Sequence, residues 1–226
     1  MEYVELARAE SERGELVLRQ RQEAGGPAIL ELRANGVFVM DSAEFTSERA
    51  LATSALALVE DPRDVLVGGM GLGFTMHEVL ADPRVERCTV VEIEEALVGW
   101  MRDGTIGHGQ TMLADARANP VVADVTVALA EGPPASYDLV LLDVDNGPNF
   151  LVHESNARIY EEGFLAEARR LLRPGGALAI WSMDDAPALR QTMAAVFDEA
   201  AAVPQPVRLQ DRDEQYWLLV GRVARA

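Results

Sequence analysis

The sequence has little of what a secreted, membrane-bound or nucleic-acid-binding protein needs. It holds one cysteine, Cys88, so no internal disulfide can form. A single thiol inside an apolar run reads as a buried strand residue, and nothing points to an oxidising compartment. No apolar run is long enough to span a membrane. The opening residues Met1-Glu2-Tyr3-Val4-Glu5 lack the basic start and apolar centre of a secretory signal. Positive charge is scarce: 20 Lys and Arg stand against 37 Asp and Glu, a net charge of −17. A chain this acidic repels phosphate backbones and anionic lipid. A cytoplasmic protein with no nucleic-acid or membrane partner is expected; the charge favours solubility and would also suit a cationic amine. His77, His108 and His153 are scattered without metal-ligand spacing, so no metal site is expected. Ser182 lacks the Gly-x-Ser-x-Gly elbow of a serine hydrolase.

The 226 residues, 49% of them hydrophobic, suit one main α/β domain with a small appendage. The organising stretch is Asp64-Val65-Leu66-Val67-Gly68-Gly69-Met70-Gly71-Leu72-Gly73-Phe74-Thr75. An apolar run ends in clustered glycines and a helical pattern follows, the strand–loop–helix opening of a nucleotide-binding α/β unit. Gly69, Gly71 and Gly73 let the chain turn sharply and bring its backbone close to a ligand. The next helix points free N–H groups into the loop. An adenosyl cofactor is the expected ligand.

Residues 2–41 read as a small antiparallel sheet, with short apolar runs between turn signals and Asn35-Gly36 as a hairpin turn before Val37-Phe38-Val39-Met40. Such a sheet covers the cofactor site or forms a subunit contact, the latter implying a homodimer. The expected division is an N-terminal β-sheet over 1–45 and a cofactor-binding α/β domain over 46–226. Within the latter, helices are expected at 46–59 (opened by Thr46 or Ser47), 75–81, 94–101, 125–130, 156–172 and 186–201. Strands are expected at 64–68, 88–92, 120–124, 137–143 and 177–181, with a closing pair at 207–209 and 216–220. The fold class is therefore α/β, a doubly wound, seven-stranded, mostly parallel sheet.

Glu92 ends the second strand about 20 residues after the glycine loop, where an acid grips ribose hydroxyls; Ile93 follows it. Asp124, before Val125, either accepts from an adenine amine or caps the helix behind it. The nearly continuous apolar run Tyr137-Asp138-Leu139-Val140-Leu141-Leu142 suits a central strand buried on both faces. It ends in Asp143-Val144-Asp145-Asn146-Gly147-Pro148-Asn149, polar groups bunched at the edge where ligands bind. A carboxylate there can orient an amine nucleophile and drain its proton.

In this order and spacing, several elements together resemble the spermidine synthase-like family, which shares the fold of Rossmann-type methyltransferases. They are Asn35-Gly36-Val37-Phe38 with Glu44-Phe45, the glycine loop, Val91-Glu92-Ile93-Glu94, Ala123-Asp124, Leu142-Asp143 and Leu172-Arg173-Pro174-Gly175-Gly176. The resemblance implies S-adenosylmethionine or its decarboxylated form as cofactor and a small amine as acceptor. It places Glu92 on the ribose, Asp124 on the adenine and Asp143 on the reacting amine. Family members that move aminopropyl groups carry an Asp in the glycine loop where this chain has Leu72. Their second acid aligns with Asn146, for which Asp145 is the available substitute. Their Gln and Tyr before the next helix are matched by Val39 and Ser47. Methyl and aminopropyl transfer both stay open, as does a non-catalytic adenosyl-binding module. A nicotinamide dehydrogenase is disfavoured, because Gly73 stands one step early for Gly-x-Gly-x-x-Gly.

Overall fold

The computed structural model describes residues 2–22, 25–209 and 212–225. Four antiparallel strands open the chain: β1 (Glu2–Ser11), β2 (Gly14–Gln22), β3 (Ala28–Ala34) and β4 (Val37–Asp41), in spatial order 1-2-3-4. The β3–β4 turn is the expected one, with Asn35 and Gly36 both at positive φ.

The rest is a seven-stranded sheet wrapped by helices. In chain order come α1 (Thr46–Leu56), β5 (Asp64–Gly68), α2 (Phe74–Ala81), β6 (Arg87–Glu92), α3 (Glu95–Asp103), α4 (Gly109–Leu113), β7 (Ala118–Val122), α5 (Val125–Glu131) and β8 (Tyr137–Leu142). A 3-10 turn (Glu154–Tyr160), α6 (Glu162–Leu171), β9 (Leu172–Ser182), α7 (Pro187–Val196), β10 (Glu199–Leu209) and β11 (Arg212–Arg222) complete it. Strand order is β10-β11-β9-β8-β5-β6-β7. β5 to β9 run parallel; β10 and β11 form an antiparallel hairpin against β9. No helix among the described residues is long and apolar enough to cross a membrane.

The central strands are apolar throughout because alternate residues serve two cores. Val65, Val67, Leu139, Leu141, Ala177 and Ala179 face one side, shared with α1, α2, α3 and the N-terminal sheet. Leu66, Val140, Leu142, Leu178 and Ile180 face the other, shared with α6 and α7. A doubly wound sheet requires this pattern. Leu16, Leu18 and Leu32 join the first core, so the small sheet is packed onto the large one. Cys88 is fully buried, and burial pushes its thiol up to about 12.

Four local expectations are corrected. The segment 156–172 is not one helix: Glu161 is extended (ψ 157°) between the 3-10 turn and α6. Asn156 is drawn to Asp145 and Arg158 to Asp124, which pulls 154–160 off the helix axis. The helix expected over 186–201 stops at Val196, and Glu199 starts β10. The alanines there are good helix formers, but full pairing of β10 with β11 overrides propensity. α1 is preceded by Phe45, with no side-chain cap. Glu44 accepts from the Thr46 N–H, while the Ser47 hydroxyl donates to Glu48. β7 ends at Val122, two residues early, leaving Asp124 free to cap α5.

Candidate active site

β5 lies between β6 and β8, so the chain winds outward in both directions from it and leaves a crevice at the strands' carboxyl ends. A cavity of about 200 Å³ occupies that crevice. Its floor comes from the strand ends and its roof from the small sheet, with Leu16, Leu32, Val39 and Met40 in the lining. The N-terminal sheet therefore covers the site.

Gly69 and Gly71 line the cavity; Gly73 does not, and packs instead against Met101 and Met112. Gly69 has φ +93°, and a Cβ there would stand 2.2 Å from the Asp143 carbonyl oxygen. The loop and the end of β8 can meet this closely only with glycine. Leu72 is fully buried and absent from the cavity lining, so it offers a ligand neither charge nor contact.

Glu92 is 7% exposed, and its carboxylate accepts from the Met70 N–H at 2.9 Å and the Glu94 N–H at 2.8 Å. It thus fixes the glycine loop and keeps lone pairs free for hydroxyl donors. Burial raises its pKa, against the pull of these backbone donors. Ile93 and Val125 also line the cavity.

Asp124 is the N-cap of α5: one oxygen accepts from the Thr126 N–H at 2.8 Å and the Thr126 hydroxyl at 2.7 Å. The other pairs with Arg158. Burial pushes this carboxyl up, but the Thr126 hydrogen bonds and the charges of Arg158 and Arg13 leave it below its ordinary value. The capping role is thus observed.

Asp143 follows β8, partly buried, with its carboxylate accepting from the Thr75 hydroxyl at 2.5 Å. Burial raises its pKa and the Thr75 hydrogen bond opposes this. Asp145 lines the cavity but serves the loop after it, accepting from the Val152 N–H at 2.6 Å, Asn156 Nδ2 at 3.1 Å and the Tyr160 hydroxyl at 3.4 Å. Asn146 is exposed at the cavity edge. Glu92, Asp124, Asp143, Asp145 and Asn146 therefore meet around one space. Among the described residues no group of His, Cys, Asp and Glu is arranged to hold a metal ion.

Sequence reading missed four contributors. Glu48, from the first turn of α1, lines the cavity. Arg13, at the β1–β2 turn, reaches Glu94 at 3.5 Å and Asn156 at 3.3 Å. Thr75 orients Asp143, and Arg158 holds Asp124. Position relative to the glycine loop could have suggested Thr75; for the others nothing local marks them. His153 is half-buried in the cavity wall, where burial and Arg13 lower its pKa.

Residues 44–201 match the family model described as the spermine/spermidine synthase domain. The chain belongs to this family. It is 32% identical to polyamine aminopropyltransferase 2 of Pseudomonas aeruginosa over 70% of this chain and 46% of that one. It is 28% identical to putrescine N-methyltransferase 3 of Nicotiana tabacum over 54% of this chain and 30% of that one. The spermidine synthase structure from Thermotoga maritima superposes with a TM-score of 0.78 at 16% identity, covering 96% of this chain and 72% of that one. That likeness shows a shared fold. The chain spans about half the length of the curated aminopropyltransferases it matches. In this spermine/spermidine synthase domain the glycine loop, Glu92, Asp124 and Asp143 all fall within the matched residues.

Proposed function

We propose that this chain transfers an aminopropyl group from decarboxylated S-adenosylmethionine to a small amine. The observation that carries the reading is the roofed cavity at the sheet's switch point, with Glu92 and Asp143 on its wall, inside the segment matched to the spermine/spermidine synthase domain. The proposal keeps the division at residue 45. The first part is the roof, and the second holds the cofactor and the reacting groups.

The residues suit a thio-adenosine. Gly69 and Gly71 present bare backbone, Glu92 has lone pairs for the ribose hydroxyls, and Ile93 and Val125 form apolar walls for the base. Asp124, already held by Thr126 and Arg158, presents a remaining lone pair to the adenine amine. Gly73 serves the loop's shape. When bound, the sulfonium supplies an electrophilic methylene: the acceptor nitrogen forms a C–N bond as the C–S bond breaks, and the electron pair passes to sulfur, giving 5′-methylthioadenosine. Asp143 orients the uncharged amine and takes up the proton that the new C–N bond acidifies. Thr75 holds Asp143 in place, and burial raises its proton affinity towards that task. Asn146 and Asp145 stand at the acceptor end.

A second reading, methyl transfer from S-adenosylmethionine, is favoured by the N-methyltransferase relative and by Leu72 in the glycine loop. Incubation with each cofactor and a panel of diamines, followed by mass spectrometry, separates the two. The proposal expects an aminopropylated diamine and one methylthioadenosine per turnover. A methylated product with S-adenosylhomocysteine would replace it by the second reading. Cofactor binding without turnover across the panel would indicate a non-catalytic module.

A further inference from the structure

The cavity wall carries more acid than it can neutralise from within. Glu15 pairs with Arg8, Glu94 with Arg13 and Asp124 with Arg158. Glu92 and Asp145 are satisfied by the donors described above. Two carboxyl groups remain, Glu48 and Asp143. Among the described residues neither makes an ion pair; each has one hydroxyl partner, Ser47 at 2.6 Å for Glu48 and Thr75 at 2.5 Å for Asp143. Its neighbour Arg49 turns the other way, to Glu78 at 2.7 Å.

Burial, and then the charge of Asp143, push Glu48 up to about 7. The groups that bear on it are Asp143 from the end of β8, Ser47 and Glu44 ahead of it in the chain, and Tyr216 of β11; none is cationic. Two carboxylates sharing a half-buried space without a counter-ion are stabilised by a cation that enters it. An ammonium on a short alkyl chain fits this space in charge and hydrogen-bonding capacity, with its three N–H donors.

We propose that Glu48, beside Asp143, seats the ammonium of the cofactor's three-carbon tail, and that it thereby selects a tail ending in a lone ammonium over one that also bears a carboxylate. This role rests on reading the cavity as an adenosyl-sulfonium site. α1 packs on α2, the helix that leaves the glycine loop, so Glu48 reaches the cavity beside that loop. Leu72 is buried away from the cavity, so the loop supplies no acid of its own. A carboxylate brought to the same place would meet two like charges.

The test is calorimetric titration of the wild-type chain and Glu48→Gln with three ligands at pH 8: methylthioadenosine, decarboxylated S-adenosylmethionine and S-adenosylmethionine. The wild type is expected to prefer the decarboxylated form by about tenfold or more, a ratio typical of losing one charge-assisted contact. E48Q is expected to bring the two sulfonium ligands within a few-fold of each other while methylthioadenosine binding stays put, which also reports that the variant is folded. Wild-type affinity for the decarboxylated form should rise from pH 6 to pH 8 as Glu48 ionises, and E48Q should flatten that rise. An unchanged preference in E48Q, with methylthioadenosine still bound, overturns the role of Glu48 alone. Failure of the wild type to bind methylthioadenosine overturns the reading of the cavity and the role of Glu48 with it.

Discussion

Four carboxyl groups around one cavity are sorted by their surroundings. Asp124, capped onto α5 and paired with Arg158, stays below its ordinary pKa and so remains charged. Glu92 and Asp143 are raised by burial, each restrained by neutral donors. Glu48 is raised to about 7 by burial and by Asp143. For an acid raised above its unfolded value, stability is fully present below the unfolded pKa and is lost as pH climbs through the folded one. Glu48 therefore destabilises the free chain between about pH 5 and 7 and above. E48Q should melt higher than the wild type at pH 8, and the gap should shrink towards pH 5. Thermal unfolding by circular dichroism at both pH values checks this; a gap independent of pH would contradict the environment assigned to Glu48.

At the scale of elements, the site is a floor made by one sheet and a roof made by another. The floor was legible in the sequence. Asp64 to Thr75 announces a strand, a tight loop and a helix through glycine and apolar patterning. Glu92 ends one strand, and Asp124 and Asp143 come just after two others, all at the carboxyl edge. The roof's contribution was not legible, because Leu16, Leu32 and Met40 reach the cavity by packing between sheets far apart in the chain. Glu48 was hidden for the same reason: an acid in the first turn of a helix looks like a favourable partner for the helix dipole. The break at Glu161 and the early end of α7 arise from tertiary pairing that outweighs helix propensity. Arg13 ties the roof to the floor through Glu94 and Asn156. Arg13→Ala should speed methylthioadenosine release several-fold in stopped-flow displacement while changing stability by under about 1 kcal/mol, since the pair is partly solvated. An unchanged release rate would show that the roof is not a latch.

For the molecule as a whole, the acid excess is part of the site's physics. All 20 basic residues are arginines and none is lysine. Those nearest the cavity, Arg13 and Arg158, pair with acids on its rim, so the interior keeps a negative field suited to a cationic ligand. The doubly wound sheet places that field at its switch point, and the small sheet closes over it. In the proposed function one residue ties loop to ligand: Glu92, which holds the glycine loop through the Met70 N–H, accepts also from the Glu94 N–H, and keeps lone pairs for a sugar. The most direct measurement is the affinity of the wild-type chain and of Glu92→Gln for methylthioadenosine, by calorimetry. Loss of charge-assisted hydrogen bonds at this position should weaken binding by about 10- to 100-fold. Equal affinity in the two proteins, or no binding by the wild type, would contradict the assignment of this cavity to a thio-adenosine.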